Sequence, residues 1–456
     1  MVKGGTMPTR QRKDKILKRI IYLILLLLIT AQAITIQRDT LKNGLVVLSV
    51  EAHKIPMVEM RILIRAGSVY DPAQQEGLAY ILNQLLLRRS ERSKEAPLDM
   101  IEYVGGELSP LIGEDYAGFS ARILSKDLSL LIKVVGDILT NPVFDTLEFN
   151  RLKKETISRL KANMDDPYYL GMVNFRKYLF AGSPLNHLPE GFDSTIKGIT
   201  LDAVKNFFKK YYIPNNTFFV FVGDFSRDSL LKILGNEFEK WPKGGRPNLN
   251  IESPRPPAGK NGYIIKRDIS QAYIFLGFLG PNLSAPDWLQ IRLMNYILGG
   301  SGLISRITNE IREKRGLAYS AYSYFERFHN GGYFVCEVQT KNESANEVVQ
   351  IIINELKRMQ IEISEDELTS AKKYYTGHLP LEFDTYRKMA NFIAEIEKAK
   401  LGLDYLERFE GLISHITLAE VKEAAIKYLH PEDFCLVIVG DLKEDDLKFE
   451  DINWIR

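Results

Sequence analysis

The sequence predicts an α+β fold built as two homologous domains, and three observations predict it. First, ITLDAVKNFFKKYYIPNNTFFVFVGD at 199–224 returns as ITLAEVKEAAIKYLHPEDFCLVIVGD at 416–441 without a gap, with 12 of 26 positions identical. Unrelated segments of ordinary composition share about one or two such positions. The chain is therefore a duplication with a period of 217 residues, too long for a solenoid repeat. Second, each copy joins an amphipathic helix (Val204, Phe207, Phe208 and Tyr211 in the first) to a proline and then to an apolar, β-branched run ending in Gly-Asp. Third, runs of strand-like segments are followed by runs of helical ones, the order of an α+β domain with a largely antiparallel sheet packed with helices.

Residues 1–33 read as a signal peptide. Seven basic residues and one acid precede an apolar run from Ile20 to Ile29, and Ala31-Gln32-Ala33 supplies the small residues of a cleavage site. The run is shorter than the ~20 residues that span a bilayer, so export to the periplasm is expected. An uncleaved anchor over residues 20–34 is the alternative.

The first domain, 34–240, opens with strand-like TLKNGLVVLSVEA (40–52), broken by a tight turn at Asn43-Gly44, and VEMRILIRAGSVYD (58–71). Helical patterns follow at 77–89, 98–106, 126–139 and 145–164. Residues 241–262 are rich in Pro, Gly and Asn without hydrophobic periodicity, and read as a linker. The second domain, 263–447, repeats the order: a strand at 270–280, helices at 288–300 and 304–315, the strands AYSAYSYFERF and GGYFVCEVQT, then helices and a closing strand. Residues 448–456 form a tail.

The chain is 456 residues, 45% hydrophobic and 26% charged, enough for two ordinary cores. Its formal charge of +2 becomes −4 once residues 1–33 are removed, so the basic balance belongs to the targeting segment. A near-neutral mature surface gives no electrostatic footprint for nucleic acid. Cys336 and Cys435 both fall in strands of the second copy and read as buried, inert thiols. The six histidines (His53, His187, His329, His378, His415 and His430) form no i, i+4 pair and no Cys/His cluster. No Gly-x-Ser-x-Gly elbow is present, and LGGSGLIS at 298–305 follows a helical pattern, not the strand a phosphate loop requires.

The segments AGSVYDPAQQEGLAYILNQLLL and IREKRGLAYSAY carry a resemblance to the insulinase/pitrilysin family of zinc peptidases, in particular its short bacterial members and processing-peptidase subunits. The resemblance runs from TLKNGL to the Gly-Asp at 441. It implies that the helix after the AGS strand carries His-x-x-Glu-His in active members, two imidazoles on zinc with the glutamate as general base. At those positions this chain has Tyr80, Asn83 and Gln84. A phenol and carboxamides are poor zinc ligands at neutral pH, and an amide takes up no proton, so no metal is expected here. The family's third ligand is a glutamate on a helix some seventy residues on. Leu152 is placed at that position, with Glu155 three residues away on what reads as a solvated helix face.

The resemblance also implies an arginine and a tyrosine seven residues apart that reach the substrate from the second domain or a partner subunit. Arg312 and Tyr319 match them. From spacing alone, Arg312 in a last helical turn and Tyr319 at the start of a strand also fit a dipole-stabilising cation and a core aromatic. Gly299, Gly300 and Gly302 fall where the non-catalytic processing-peptidase subunit carries a glycine-rich loop, and read equally as a helix end and tight turn. The function implied is that of a zinc-free subunit, inert alone. It would pair with a homologous subunit bearing the intact zinc motif, bind peptide or unfolded protein, and lend Arg312 and Tyr319 to its partner's zinc site. A structural or peptide-binding scaffold with no part in catalysis is the alternative.

Overall fold

The structure is a computed structural model that describes residues 35–91, 95–247, 251–255, 258–449 and 451–455. The signal peptide or anchor assigned to residues 1–33 lies outside them. No helix among the described residues is long and apolar enough to cross a membrane.

In the first domain the strands are β1 (Gln37–Thr40), β2 (Val46–Glu51), β3 (Met57–Ile64), β4 (Glu107–Ile112), β5 (Ala117–Leu124) and β6 (Thr217–Gly223). The helices are α1 (Leu78–Leu85), α2 (Pro97–Glu102), α3 (Leu128–Thr140), α4 (Thr146–Asn163), α5 (Pro167–Leu179), α6 (Asp193–Gly198), α7 (Leu201–Tyr211) and α8 (Arg227–Phe238). The sheet order is β1-β2-β6-β3-β5-β4, antiparallel except where β2 runs parallel to β6. β6, the TFFVFVG of the repeat, is buried along its whole length, which is what a continuous apolar run between two covered faces requires.

The second domain contains β7 (Lys260–Lys266), β8 (Gln271–Leu279), β9 (Ala318–Phe328), β10 (Gly331–Lys341), β11 (Phe434–Gly440) and β12 (Asn453–Trp454). Its helices are α9 (Trp288–Asn295), α10 (Arg306–Thr308), α11 (Ala345–Ile361), α12 (Glu365–His378), α13 (Tyr386–Ala399), α14 (Tyr405–His415) and α15 (Leu418–Tyr428). The sheet order is β12-β7-β11-β8-β10-β9, so β11 lies where its repeat-mate β6 lies in the first sheet. The sixth strands break the symmetry: β1 opens its domain and pairs antiparallel with β2, whereas β12 comes from the tail and pairs parallel with β7. The 448–456 segment is thus partly sheet, and Lys260, Asn261 and Gly262, placed in the linker by composition, begin β7. Asn-Gly and a two-residue strand are too short to announce themselves as β structure.

The domains clasp each other. α5 of the first packs on β8 and β11 of the second, and α13 of the second packs on β3 and β6 of the first. These two helices share MVNF (172–175) and MANF (389–392), again 217 residues apart, so the crossed packing belongs to the duplication. Close approach is built in: a Cβ on Gly171 of α5 would fall 2.1 Å from the Phe275 ring of β8. Tyr178 stacks on Tyr263 at 3.6 Å, Arg61 Nε donates to Asn391 Oδ1 at 2.8 Å, and Tyr386 Oη donates to the Ala52 carbonyl at 2.7 Å. Both hydrophobic clusters draw residues from both domains.

Cys336 and Cys435 are free and buried. Cys435 lies opposite Gly277 and Cys336 opposite Leu276, adjacent positions of β8, so the two thiols point to opposite faces of the sheet. Burial pushes both thiols well above their usual range, which keeps them protonated and unreactive.

Candidate functional site

α1 begins where Asp71 accepts hydrogen bonds from the amides of Gly77 and Ala79, at 2.7 and 2.8 Å, and it runs along α4, which Asp145 caps. These two helices carry the positions of the family's metal set. Tyr80 is half-buried, and burial holds its phenol above the usual range although Arg159 works against it. It is therefore a neutral phenol at pH 7, with no phenolate to offer. Asn83 is fully buried and donates its amide to the Leu111 carbonyl at the end of β4, while its Oδ1 has no partner among the described residues. A glutamate could not make that bond, so the residue at the general-base position now ties α1 to the sheet.

The pattern places Leu152 at the third ligand position, but a different residue of α4 meets Tyr80. Leu152 is buried in the first core cluster, and the α4 residue that reaches Tyr80 is Arg159, two helical turns on. Its guanidinium donates to the Tyr80 hydroxyl and lies 5.3 Å from the ring centre. Glu155 is exposed and held at 2.8 Å by both Arg88 and Arg151, arginines and not the neighbouring lysines. A phenol, two carboxamides and a facing guanidinium do not fit zinc. A neutral phenol and carboxamides are weak donors to zinc, and the charge that faces them is positive.

In the second domain Arg312 lies not in an α-helical turn but in a π-helical one, Asn309–Glu313, which continues α10. Gly316, with φ +63°, ends it, and Gly316 and Leu317 return their amides to the Arg312 and Ile311 carbonyls. β9 follows, the edge strand of its sheet, paired among the described residues with β10 alone. The register jumps from Gln339↔Ser320 to Thr340↔Ala318, which leaves Tyr319 as the bulged residue. The bulge turns the Tyr319 side chain out of the pleat, 83% exposed, with no partner for its hydroxyl among the described residues. Arg312 lies over this ring at 4.5 Å and donates to the Tyr319 carbonyl at 3.4 Å. The chain thus brings the pair together, stacked and facing outward.

The glycines separate into two kinds. Gly299 and Gly300 belong to a π-helical turn, Tyr296–Gly300, that continues α9. A Cβ on Gly299 would lie 2.3 Å from Ser323 Oγ of β9, so this glycine lets the helix press on the strand that carries Tyr319. Asn295 completes that brace, donating to the Ser323 carbonyl and accepting from its hydroxyl. Gly302, with φ +64°, only turns the chain, and the Leu303 and Ile304 that follow are exposed.

The fold and site together define a two-domain peptidase architecture whose metal positions are filled by residues that do not bind metal. A family model described as insulinase (peptidase family M16) matches residues 46–176, and one described as peptidase M16 inactive domain matches residues 198–375. An uncharacterized zinc protease of Rickettsia felis is 24% identical, over 89% of this chain and 92% of that protein. The non-peptidase homolog YmxG of Helicobacter pylori is 26% identical, over 87% of this chain and 91% of that protein. A solved Pseudomonas fluorescens structure described as a peptidase M16 inactive domain is 28% identical with a TM-score of 0.83, over 90% of this chain and 98% of that one. The chain belongs to the insulinase family, as a homologue lacking the catalytic motif.

Proposed function

We propose that this protein is the non-catalytic subunit of a heterodimeric metallopeptidase. Its partner would be a homologous chain with intact His-x-x-Glu-His and bound zinc, and the substrate a peptide or unfolded protein. The observation that carries the reading is the contrast between the two domains. Tyr80, Asn83, Gln84 and Arg159 abolish the metal set, whereas Tyr319 is pushed outward by a bulge with Arg312 over its ring. A guanidinium and a phenol held together at an exposed edge can both donate to an oxyanion that forms at the partner's zinc. The basic and apolar segment at 1–33 supports placing the pair in the periplasm.

A second reading, a scaffold with no catalytic part, is favoured by one contact: the Arg312 guanidinium is already satisfied in part by the Tyr319 carbonyl and by Glu313 at 3.4 Å. Arg312→Ala and Tyr319→Phe in the assembled pair separate the two. The proposed role predicts that each lowers the partner's kcat by about 100-fold with assembly intact, in the range of a lost oxyanion donor. Unchanged kcat in both variants favours the scaffold.

A further inference from the structure

Between α9, α12, α13 and α14 the second domain forms a half-open cavity of about 420 Å³, room for a ligand of one or two residues. Its walls are largely aromatic, with Tyr375, Phe392, Tyr405 and Phe409 among them, and Gly300 also lines it. Trp288, Arg327 and Glu395 also line a larger cavity of about 570 Å³ between the two domains, so the two spaces adjoin.

Two guanidiniums face the smaller cavity. Arg327 lies flat on Trp288 at 3.6 Å, and its one hydrogen bond among the described residues goes to the Leu283 carbonyl at 3.1 Å. Arg292 lies over Tyr375 at 4.3 Å and near Phe409 at 5.8 Å. Neither forms an ion pair among the described residues. Glu395 is engaged by Lys398 at 2.5 Å, and Glu382, also in the lining, is exposed. Burial lowers Arg327 to about 10, and Arg292 acts in the same direction, opposed by Glu395. Two like charges thus face aromatic walls, and Glu395, which lines the same cavity and acts on Arg327, forms an ion pair with neither of them among the described residues. Both guanidiniums are partly buried, and a planar guanidinium is suited to a planar carboxylate.

We propose that this cavity binds a carboxylate carried on an apolar or aromatic body, with Arg292 and Arg327 on the carboxylate and the aromatic walls on the body. That chemistry is shared by a peptide C-terminus ending in an apolar side chain and by a small aromatic acid. The site is separate from Arg312 and Tyr319 and needs no partner subunit.

The test is isothermal titration calorimetry of the whole chain alone with three probes: N-acetyl-Phe-Phe as the free acid, the same dipeptide as its C-terminal amide, and 3-phenylpropionate. The acid should bind saturably and at least about tenfold more tightly than the amide, the scale of a lost charge-assisted hydrogen bond. Arg292→Gln and Arg327→Gln should each bring the acid down to the amide's affinity. A tenfold preference for the dipeptide over 3-phenylpropionate identifies a peptide C-terminus, and the reverse a small acid. Both support the site. Equal binding of acid and amide by the unaltered protein, or no saturable binding of any probe, overturns it, and this comparison does not depend on whether the variants fold.

Discussion

The Arg159 guanidinium donates to the Tyr80 hydroxyl, joining α4 to α1 at the place where the insulinase family joins these helices through zinc. An internal cation has taken the place of a bound one. The contact holds two helices at the domain edge, but Arg159 is exposed and its contribution is modest, about 0.5–1 kcal/mol for a cation over a ring at such a site.

That arrangement predicts how zinc binding would have to be restored. Tyr80→His, Asn83→Glu and Gln84→His together should give weak zinc binding, because Arg159 still faces the new ligands. Adding Arg159→Glu should tighten it by at least about tenfold, as a repelling charge becomes a carboxylate ligand. Competition with a chromophoric zinc chelator measures both. Equal affinity of the triple and quadruple variants would contradict the placement of Arg159.

The clasp between domains predicts opposite signs for two glycine substitutions. Gly171→Ala puts a methyl 2.1 Å from the Phe275 ring and should destabilise by about 1–3 kcal/mol, although alanine is the better helix former. Gly235→Ala, also helical but with open space around its Cβ, should stabilise by about 0.5–1 kcal/mol. Thermal melts of the two variants check the pair.

The duplication, the α+β class and the central strands were legible because they rest on local pattern: a 26-residue repeat and an apolar run such as TFFVFVG need no tertiary information. The crossed helices were not. MVNF and MANF keep the 217-residue spacing, yet nothing local says that each packs on the other domain's sheet. Arg159 was missed for a related reason. Leu152 and Arg159 lie on one stripe of α4, and only the crossing of α1 and α4 decides which of them meets Tyr80. The seven-residue spacing of Arg312 and Tyr319 was legible, whereas the bulge that exposes Tyr319 depends on its register with β10.

Acid sensitivity should centre on Glu367. Burial alone would raise its carboxyl, but hydrogen bonds from Arg306 and Ser364 outweigh that and bring it down to about 2. Arg306 is itself buried and holds Glu367 through two hydrogen bonds, at 2.6 and 2.7 Å. The folded value lies below the unfolded value of about 4.3, so the stabilisation is fully present above about pH 4.3 and is lost as pH falls toward 2. Glu367→Gln should cost about 2 kcal/mol at pH 7 and progressively less below pH 4. Urea unfolding at pH 7 and pH 3 gives the comparison, and a cost independent of pH would assign it to packing.

The central claim, that this chain completes a zinc site it does not itself possess, is tested most directly by one peptidase assay. An unstructured peptide is incubated with this protein alone, with a homologous His-x-x-Glu-His subunit alone, and with both, each with and without a zinc chelator. The account predicts no cleavage by this protein alone, little by the zinc subunit alone, and chelator-sensitive cleavage at least about 100-fold faster by the pair. Chelator-sensitive cleavage by this protein alone, or a zinc subunit as fast without it as with it, would contradict the account.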